Sequence, residues 1–274
     1  MEKVGIVGLG AMGSALLERL KLAGVPTTVY DCHSPTLESC RSAGVEIAPS
    51  AAALARAVTI IDLVVRTDQD ILDCAMGKEG LLDGARPGTL VLLHSTILPQ
   101  TTQKVAEAAR RRDVYVIDAC MAAVPDAVRA GDLIFLVGGP KELVDRARPH
   151  LLQMGKEVLH IGPLGAGNVF KLLKNLLTGA EKLIIHEAIR ITEATGIPFP
   201  TWLEIMRPIH VPVLNRWQTT FDPSGVNPNP RTGITFEKDL ALAAELGRCH
   251  GLNLPIIEQL VASGKQLMSV GASD

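Results

Sequence analysis

Short apolar runs alternate with helical patterns over more than the first half of the chain, and this alternation limits the fold more than any other feature. The runs that predict strands are Val4–Leu9, Thr27–Asp31, Val58–Val65, Leu90–His94, Val114–Ile117, Leu133–Val137 and Val158–Ile161. The patterns that predict helices between them are Gly13–Leu22, Pro35–Ala43, Ser50–Ala55, Ile71–Met76, Gln100–Arg112 and Lys141–Met154. Continuously apolar strands that alternate with helices are typical of a parallel sheet covered on both faces. We therefore predict an α/β fold with a doubly wound parallel sheet.

From Gly165 onward the strand patterns stop and helical patterns take over. Residues Asn168–Thr195 predict one long helix, which Gly196 ends with Pro198 just behind it. Further helices are predicted at Thr201–Met206, Phe236–His250 and Pro255–Ser269, with a proline-rich loop at Phe221–Thr232. We expect two domains, residues 1–163 and an all-helical domain of residues 164–274 that begins with a long interdomain helix.

Charge and cysteine usage exclude several classes of protein. The 27 basic and 29 acidic side chains give a net charge of −2, so no bulk positive field attracts nucleic acid or anionic lipid. The five cysteines are scattered without a CxxC pair, which argues against a disulfide framework and a zinc site, and we predict no metal. No apolar run approaches the roughly 18 residues of a membrane span, and the first residues lead directly into a strand. A cytoplasmic protein is expected.

A glycine-rich motif lies where the first predicted strand meets the first predicted helix. Its residues are Gly8, Leu9, Gly10, Ala11, Met12 and Gly13, a GxGxxG sequence. In such a motif the first glycine makes a tight turn, the second admits a pyrophosphate, and the third allows close packing of helix on strand. The free N–H groups of the helix N-terminus then face the phosphates. The motif predicts a Rossmann-type dinucleotide-binding domain at residues 1–163.

The acid at the end of the second predicted strand indicates which dinucleotide binds. Asp31 is placed to accept hydrogen bonds from the adenosine ribose hydroxyls and to repel a 2′-phosphate. No arginine follows it in Cys32-His33-Ser34. We therefore predict NAD as the cofactor, with NADP less favoured.

Through this motif and several later ones, the chain resembles the β-hydroxyacid dehydrogenases, which include the 3-hydroxyisobutyrate and 6-phosphogluconate dehydrogenases. The resemblance begins at Gly8–Gly13 and spans nearly the whole chain. Its later motifs follow in the family's order: Ser95-Thr96 with Pro99, Asp118-Ala119, Gly165-Ala166-Gly167 leading to Lys171 and Asn175, and Lys238-Asp239-Leu240. Five ordered motifs are more specific than any one of them.

The resemblance implies roles for single residues. Lys171 matches the family's catalytic lysine, and Asn175 matches the asparagine one turn later. Thr96 and Lys238 match positions that contact the cofactor near the nicotinamide, and Asp118 opens the segment that recognises the substrate. The family also implies a homodimer or homotetramer.

The chemistry of Lys171 and Asn175 also follows from their spacing. Residues i and i+4 share one face of a helix, so the two side chains are expected to act together. Hydride transfer from an alcohol requires that the hydroxyl proton leave, and a lysine accepts it when its pKa falls from about 10.4 toward about 7–8. Asn175 is then placed to orient the ammonium group or the substrate hydroxyl.

One segment departs from the family pattern. Where the family typically has DAPVSGG, this chain has Asp118-Ala119-Cys120-Met121-Ala122-Ala123-Val124. Ala122, Ala123 and Val124 replace a serine and two glycines that hold the substrate carboxylate. The segment predicts a substrate with less charge or more apolar body than 3-hydroxyisobutyrate, and we expect Met121 and Val124 to supply apolar surface. A charged group on the substrate is expected to meet Arg216 or Arg231.

The sequence thus predicts an NAD-dependent oxidoreductase for a β-hydroxyacid-like alcohol or its carbonyl, with Lys171 as general acid and base. One alternative is a non-catalytic dinucleotide-binding scaffold of the same fold, which the altered segment at Ala122–Val124 favours. Another is an imine or ketone reductase with a changed substrate pocket, against which Lys171 argues. Apolar residues on more than one face of Asn168–Thr195 predict at least a dimer through the helical half.

Overall fold

The structure is a computed structural model that describes residues 2–32, 34–209 and 230–269. The chain divides into two compact units, Met1–Lys171 and Leu172–Asp274. The predicted boundary at residues 163 and 164 lies a few residues earlier, just before the long helix begins.

An eight-stranded sheet forms the first unit. Its strands are β1 (Val4–Val7), β2 (Thr27–Tyr30), β3 (Glu46–Ile47), β4 (Ile60–Leu63), β5 (Leu90–Leu93), β6 (Tyr115–Met121), β7 (Ile134–Gly138) and β8 (Glu157–Gly162). The strand order is β3-β2-β1-β4-β5-β6-β7-β8, and the neighbours are parallel except for β6 and β7. This order continues outward from β1 in both directions, as in a doubly wound fold.

Helices cover this sheet on both faces. They are α1 (Ala11–Leu22), α2 (Ser34–Ser42), α3 (Ala51–Ala57), α4 (Asp68–Met76), α5 (Leu81–Gly84), α6 (Pro99–Arg110), α7 (Pro125–Arg129) and α8 (Lys141–Met154). One core includes Ile6, Leu92 and Phe135, and the other includes Val7 and Leu93. Consecutive residues of one strand enter opposite cores, which is why the strands are apolar throughout.

The structure corrects three details of the predicted sheet. Strand β3 was not predicted, because two residues are too short for a recognisable apolar run. Strand β6 continues past Ile117 to Met121 and therefore includes Asp118. The sheet is parallel as predicted except between β6 and β7, whose connection holds only the five-residue helix α7. Parallel neighbours are usually joined by a crossover helix that packs along the sheet, and a five-residue helix is too short for that.

The second unit is helical in its described part. The helices are α9 (Ala166–Ala194, which begins in the first unit), α10 (Phe199–Ile209), α11 (Pro230–Cys249) and α12 (Pro255–Ser269). As predicted, Gly196 follows the end of α9 with φ of +82°, a conformation that glycine adopts without strain. Helix α11 begins at Pro230, which corrects the C-terminal end of the loop predicted at Phe221–Thr232. The rest of that loop lies outside the described residues.

Candidate functional site

The glycine-rich loop between β1 and α1 has a backbone that only glycine allows at two positions. Gly8 has φ of +95°, and a Cβ there would lie 2.2 Å from the carbonyl oxygen of Val64. A Cβ on Gly13 would lie 1.9 Å from the carbonyl oxygen of Gly8. A Cβ on Gly10, in contrast, would have no heavy atom within 4 Å. The first and third glycines therefore serve the fold, and the second leaves open space beside the loop, which suits a pyrophosphate.

The N-terminus of α1 completes this cradle. Gly10 is the N-cap of α1 and offers no side-chain acceptor, so Ala11, Met12 and Gly13 begin the helix without a side-chain cap. The first N–H groups of a helix lack partners within the helix and attract anions. The residues present thus fit a dinucleotide.

Asp31 directly follows β2 and is tied to the same loop. Its Oδ2 accepts a hydrogen bond from the Leu9 amide at 2.5 Å. The carboxylate therefore lies at the edge where the loop, β1 and β2 meet. Its contact with the ribose hydroxyls stays a prediction.

Ser95 and Thr96 follow β5 at the same carboxyl edge of the sheet. Ser95 Oγ donates to the Val65 carbonyl at 2.6 Å and accepts from the Val65 amide at 3.1 Å. These bonds fix the end of β5 to the end of β4. Thr96 is half-buried beside them, and dinucleotides bind outside this edge in open α/β sheets.

Lys171 lies in α9 and contacts the segment predicted to recognise the substrate. Its Nζ donates to the Met121 carbonyl at the end of β6, at 2.6 Å. The lysine is half-buried. The structure thus brings together two elements that are 50 residues apart in the sequence.

Asp118 holds the start of α9. Its Oδ1 accepts from the Gly165 amide at 2.7 Å, and its Oδ2 accepts from the Asn168 amide at 2.9 Å. A Cβ on Gly138 or Gly167 would lie 2.6 Å from this carboxylate, so both positions exclude a side chain. Burial raises the pKa of Asp118, and the backbone hydrogen bonds offset this only in part. Asp118 is fully buried and holds the start of α9. Its predicted part in recognising the substrate stays a prediction.

Asn168 and Thr102 are polar residues of this region that sequence reasoning missed. Asn168 Nδ2 donates to Cys120 Sγ at 3.2 Å, and Thr102 Oγ1 donates to Asn168 Oδ1 at 2.7 Å. Asn168 lies three residues before Lys171, on the same face of the helix. That spacing was the available signal.

The segment Ala122–Val124 lies between β6 and α7. The Ala122 amide donates to the Ile134 carbonyl at 2.9 Å, so it already has an acceptor. The side chain of Val124 is 63% exposed. The expectation that Met121 supplies apolar surface is wrong: β6 pairs Met121 with Phe135, and the side chain lies in the core.

The second unit contains Asn175, Lys238 and a further acid. Asn175 Nδ2 donates to Asp239 Oδ2 at 2.6 Å, and Lys238 Nζ lies 3.9 Å from Asp239 Oδ1. Asp239 is buried and was not predicted as a site residue, although its place after Lys238 was the signal. Arg216 and the side chain of Arg231 lie outside the described part of the chain.

The comparison with protein families decides the identity. The model for the NAD binding domain of 6-phosphogluconate dehydrogenase matches residues 3–162. The chain belongs to the β-hydroxyacid dehydrogenase family. The predicted family, its fold class and NAD as cofactor are confirmed at this level.

The relatives of this chain include named dehydrogenases that support the same family assignment. The 3-hydroxyisobutyrate dehydrogenase of Pseudomonas aeruginosa is 32% identical over 76% of this chain and 70% of that relative. The NAD-dependent L-serine dehydrogenase of the same organism is 29% identical over 100% of this chain and 95% of that relative. A solved structure of Mycobacterium tuberculosis 3-hydroxyisobutyrate dehydrogenase with L-serine has a TM-score of 0.83 at 22% identity, covering 98% and 94% of the two chains. That last likeness shows the fold.

Two further findings concern the described residues of this family member. No group of three or more His, Cys, Asp or Glu side chains among them is arranged to hold a metal ion. None of the helices in the described ranges combines the length and apolar character that a membrane crossing requires.

Proposed function

We propose that this chain transfers hydride between NAD and a β-hydroxyacid-like alcohol or its carbonyl, with Lys171 as the general acid and base. The observation that carries the proposal is the hydrogen bond from Lys171 Nζ to the Met121 carbonyl, which places the lysine beside the altered segment. A positioned acid or base contributes about 10²–10⁴-fold to such a reaction.

NAD would be held by Gly8–Gly13, by Asp31 and by Thr96, with Lys238 as a further contact. It would supply the hydride acceptor for alcohol oxidation and, reduced to NADH, the hydride donor for carbonyl reduction. Asp31 accepts hydrogen bonds at the ribose, and the N-terminus of α1 faces the phosphates.

Lys171 handles the proton of the hydroxyl group. In alcohol oxidation the uncharged amine takes this proton as the carbon loses hydride, and in carbonyl reduction the ammonium group donates it. The Met121 carbonyl accepts a hydrogen bond from one N–H of Lys171. This bond limits the directions in which the other N–H groups of the same nitrogen point. Asn175 is held by Asp239 and orients the substrate hydroxyl.

The substrate has less charge or more apolar body than 3-hydroxyisobutyrate. The Ala122 amide is engaged by the Ile134 carbonyl. Val124 adds an exposed isopropyl group to the segment, and the following Pro125 has no N–H to offer a carboxylate. Burying an unpaired carboxylate is costly, so a small hydroxy acid is expected to bind weakly at this segment. The relatives' own names make 3-hydroxyisobutyrate and L-serine the reference compounds.

Turnover with a panel of substrates tests the proposal. NADH formation is measured with 3-hydroxyisobutyrate, L-serine, their uncharged esters and bulkier β-hydroxy compounds. We expect the less charged or bulkier compounds to have the higher kcat/KM. A tenfold or greater preference for the small acid contradicts the substrate class, and NADH binding without any turnover favours the scaffold alternative. NAD(P)H-dependent reduction of imines alone favours the reductase alternative.

We also propose a homodimer or homotetramer built through the helical half. Helix α9 exposes Leu173, Leu177, Ile184 and Ile191, spaced by four, seven and seven residues along one side. Light scattering at micromolar concentration is expected to give at least twice 29.2 kDa, and a monomer contradicts this assembly. A cytoplasmic location stays a prediction.

A further inference from the structure

Three titratable side chains form a buried cluster inside the first unit, apart from the residues assigned above. Asp62 is on β4, His94 follows β5, and His150 is on α8. His94 Nε2 lies 2.8 Å from Asp62 Oδ1, and His150 Nε2 lies 2.8 Å from Asp62 Oδ2. All three residues are buried. A charged side chain within a buried strand needs partners, and here it has two.

Both ring nitrogens of His94 face partners on the strands that flank β5. Its Nδ1 lies 2.6 Å from the Ala119 carbonyl on β6, and its Nε2 lies 2.8 Å from the Asp62 carboxylate on β4. The ring is therefore fixed between the two neighbours of β5 in the sheet.

Asp62 is the carboxylate that both histidines face. Burial raises the pKa of its carboxyl group, but attraction to His150 and hydrogen bonds from both histidines outweigh burial. The pKa of Asp62 thus lies well below its usual range. The carboxylate is therefore ionised at neutral pH and lies within hydrogen-bond distance of both histidines.

His94 connects two parts of the candidate site. Along the chain it directly precedes Ser95 and Thr96, at the carboxyl edge where the cofactor binds. Across the sheet its Nδ1 donates to Ala119. Ala119 lies between Asp118, which caps α9, and Met121, which accepts from Lys171. The ring of Phe135 on β7 packs against His94 with the ring centres 5.5 Å apart.

We infer that His94, held between the Asp62 carboxylate and the Ala119 carbonyl, is a positioning residue that fixes the Ser95-Thr96 segment toward the cofactor and the β6 segment toward Lys171. The inference rests on the proposed function only for its catalytic consequence. Its consequence for cofactor binding stands on the geometry of the first unit.

His150 provides a matched control. It shares the Asp62 carboxylate and the burial of His94, but its described bond to Asp62 comes from α8. Replacing either histidine leaves Asp62 with one partner fewer and lowers stability. A displacement of the cofactor segment is expected only when His94 is replaced.

The experiment compares His94→Gln and His150→Gln in the full chain, with NADH fluorescence titration, steady-state kinetics and thermal unfolding. Both variants are expected to lower Tm. Only His94→Gln is expected to raise the Kd of NADH, by about tenfold, and to lower kcat by about 10²-fold, the scale of a small misplacement. Equal effects of the two variants on the Kd of NADH, or no effect of His94→Gln, overturn the inference.

Nitrogen NMR of the wild-type protein gives a second readout that needs no variant. With ¹⁵N-labelled histidine, we expect the Nδ1–H proton of His94 to be protected from exchange with solvent, because it is bonded to the Ala119 carbonyl. Rapid exchange of this proton overturns the inference even if His94→Gln does not fold. A wild type that binds NADH but turns over no substrate contradicts the proposed function and leaves the comparison of NADH affinities intact.

Discussion

The glycine-rich loop and the end of β6 are held in different ways. At the loop, backbone geometry alone excludes side chains from Gly8 and Gly13. At β6, four successive residues are each held by a partner from elsewhere in the first unit: Asp118 by the start of α9, Ala119 by His94, Cys120 by Asn168 and Met121 by Lys171. A backbone requirement leaves few residue types open, whereas a side-chain network changes with its partners. The cofactor can therefore be inferred from a short motif, and the substrate cannot.

Replacement of Lys171 gives the largest expected effect at the β6 end. Lys171→Ala removes the proton-handling group and is expected to lower kcat by about 10²–10⁴-fold. The Kd of NADH is expected to stay unchanged, because the loop is intact. Near-normal kcat in stopped-flow or steady-state assays contradicts the mechanism. The end of β6 would then have no catalytic role to set beside the cofactor-binding role of the glycine-rich loop.

Two alanine substitutions separate the roles of the glycines within the loop. Gly13→Ala places a Cβ against the Gly8 carbonyl. It is expected to lower the free energy of unfolding by about 1–3 kcal/mol and to weaken NADH binding as well. Gly10→Ala meets no protein atom and is expected to cost less than about 1 kcal/mol. It nevertheless weakens NADH binding, because its methyl group enters the space for the pyrophosphate. Urea unfolding and NADH titration measure both quantities, and equal losses of stability contradict this division of roles.

Asp31 is where a side chain contributes to the loop. Asp31→Ala removes a charged acceptor, and hydrogen bonds to charged groups contribute about 1.5–3 kcal/mol. We expect the affinity for NAD to fall by about tenfold or more and the gap between NAD and NADP to narrow. Calorimetric titration with both dinucleotides tests this. Wild-type protein that binds the two equally contradicts the predicted preference.

The smallest expected effect is a pH dependence of stability that arises from His150 and Asp62, the cluster that also contains His94. Burial lowers the pKa of His150, but attraction and hydrogen bonding to Asp62 outweigh it, and Glu2 adds to the rise. Because this pKa is raised above 6.5, its stabilisation is present below pH 6.5 and is lost as the pH rises through the raised value. The lowered pKa of Asp62 gives stabilisation above pH 3.8 that is lost in acid.

Urea unfolding at about pH 6 and about pH 8.5 measures this effect, with wild type and His150→Gln compared at each pH. The wild type is expected to lose about 1 kcal/mol more than the variant on going to the higher pH. Equal losses show that His150 does not carry the dependence.

The same contrast explains what the sequence predicts and what it misses. Seven of the eight strands follow from apolar runs, and β3 is missed because Glu46–Ile47 is too short. The glycine loop and Asp31 are local in sequence and were predicted together. The partners of Asp118 and Met121 are 47 to 50 residues away, so no local pattern indicates them. Asp62 was a usable signal, because an acid inside an apolar run requires a buried partner.

The bonds to Asp118 and Met121 fix the first residues of α9, up to Lys171, at two points of β6. One bond fixes the helix at Asp118, and another fixes it at Met121, three residues further along the strand. Each helical residue advances 1.5 Å and turns about 100°. Inserting one alanine between Asn168 and Lys171 keeps every functional side chain in the sequence and yet turns Lys171 away from Met121 by about 100°. Chain length between these two points is thus as strictly constrained as the identity of the lysine.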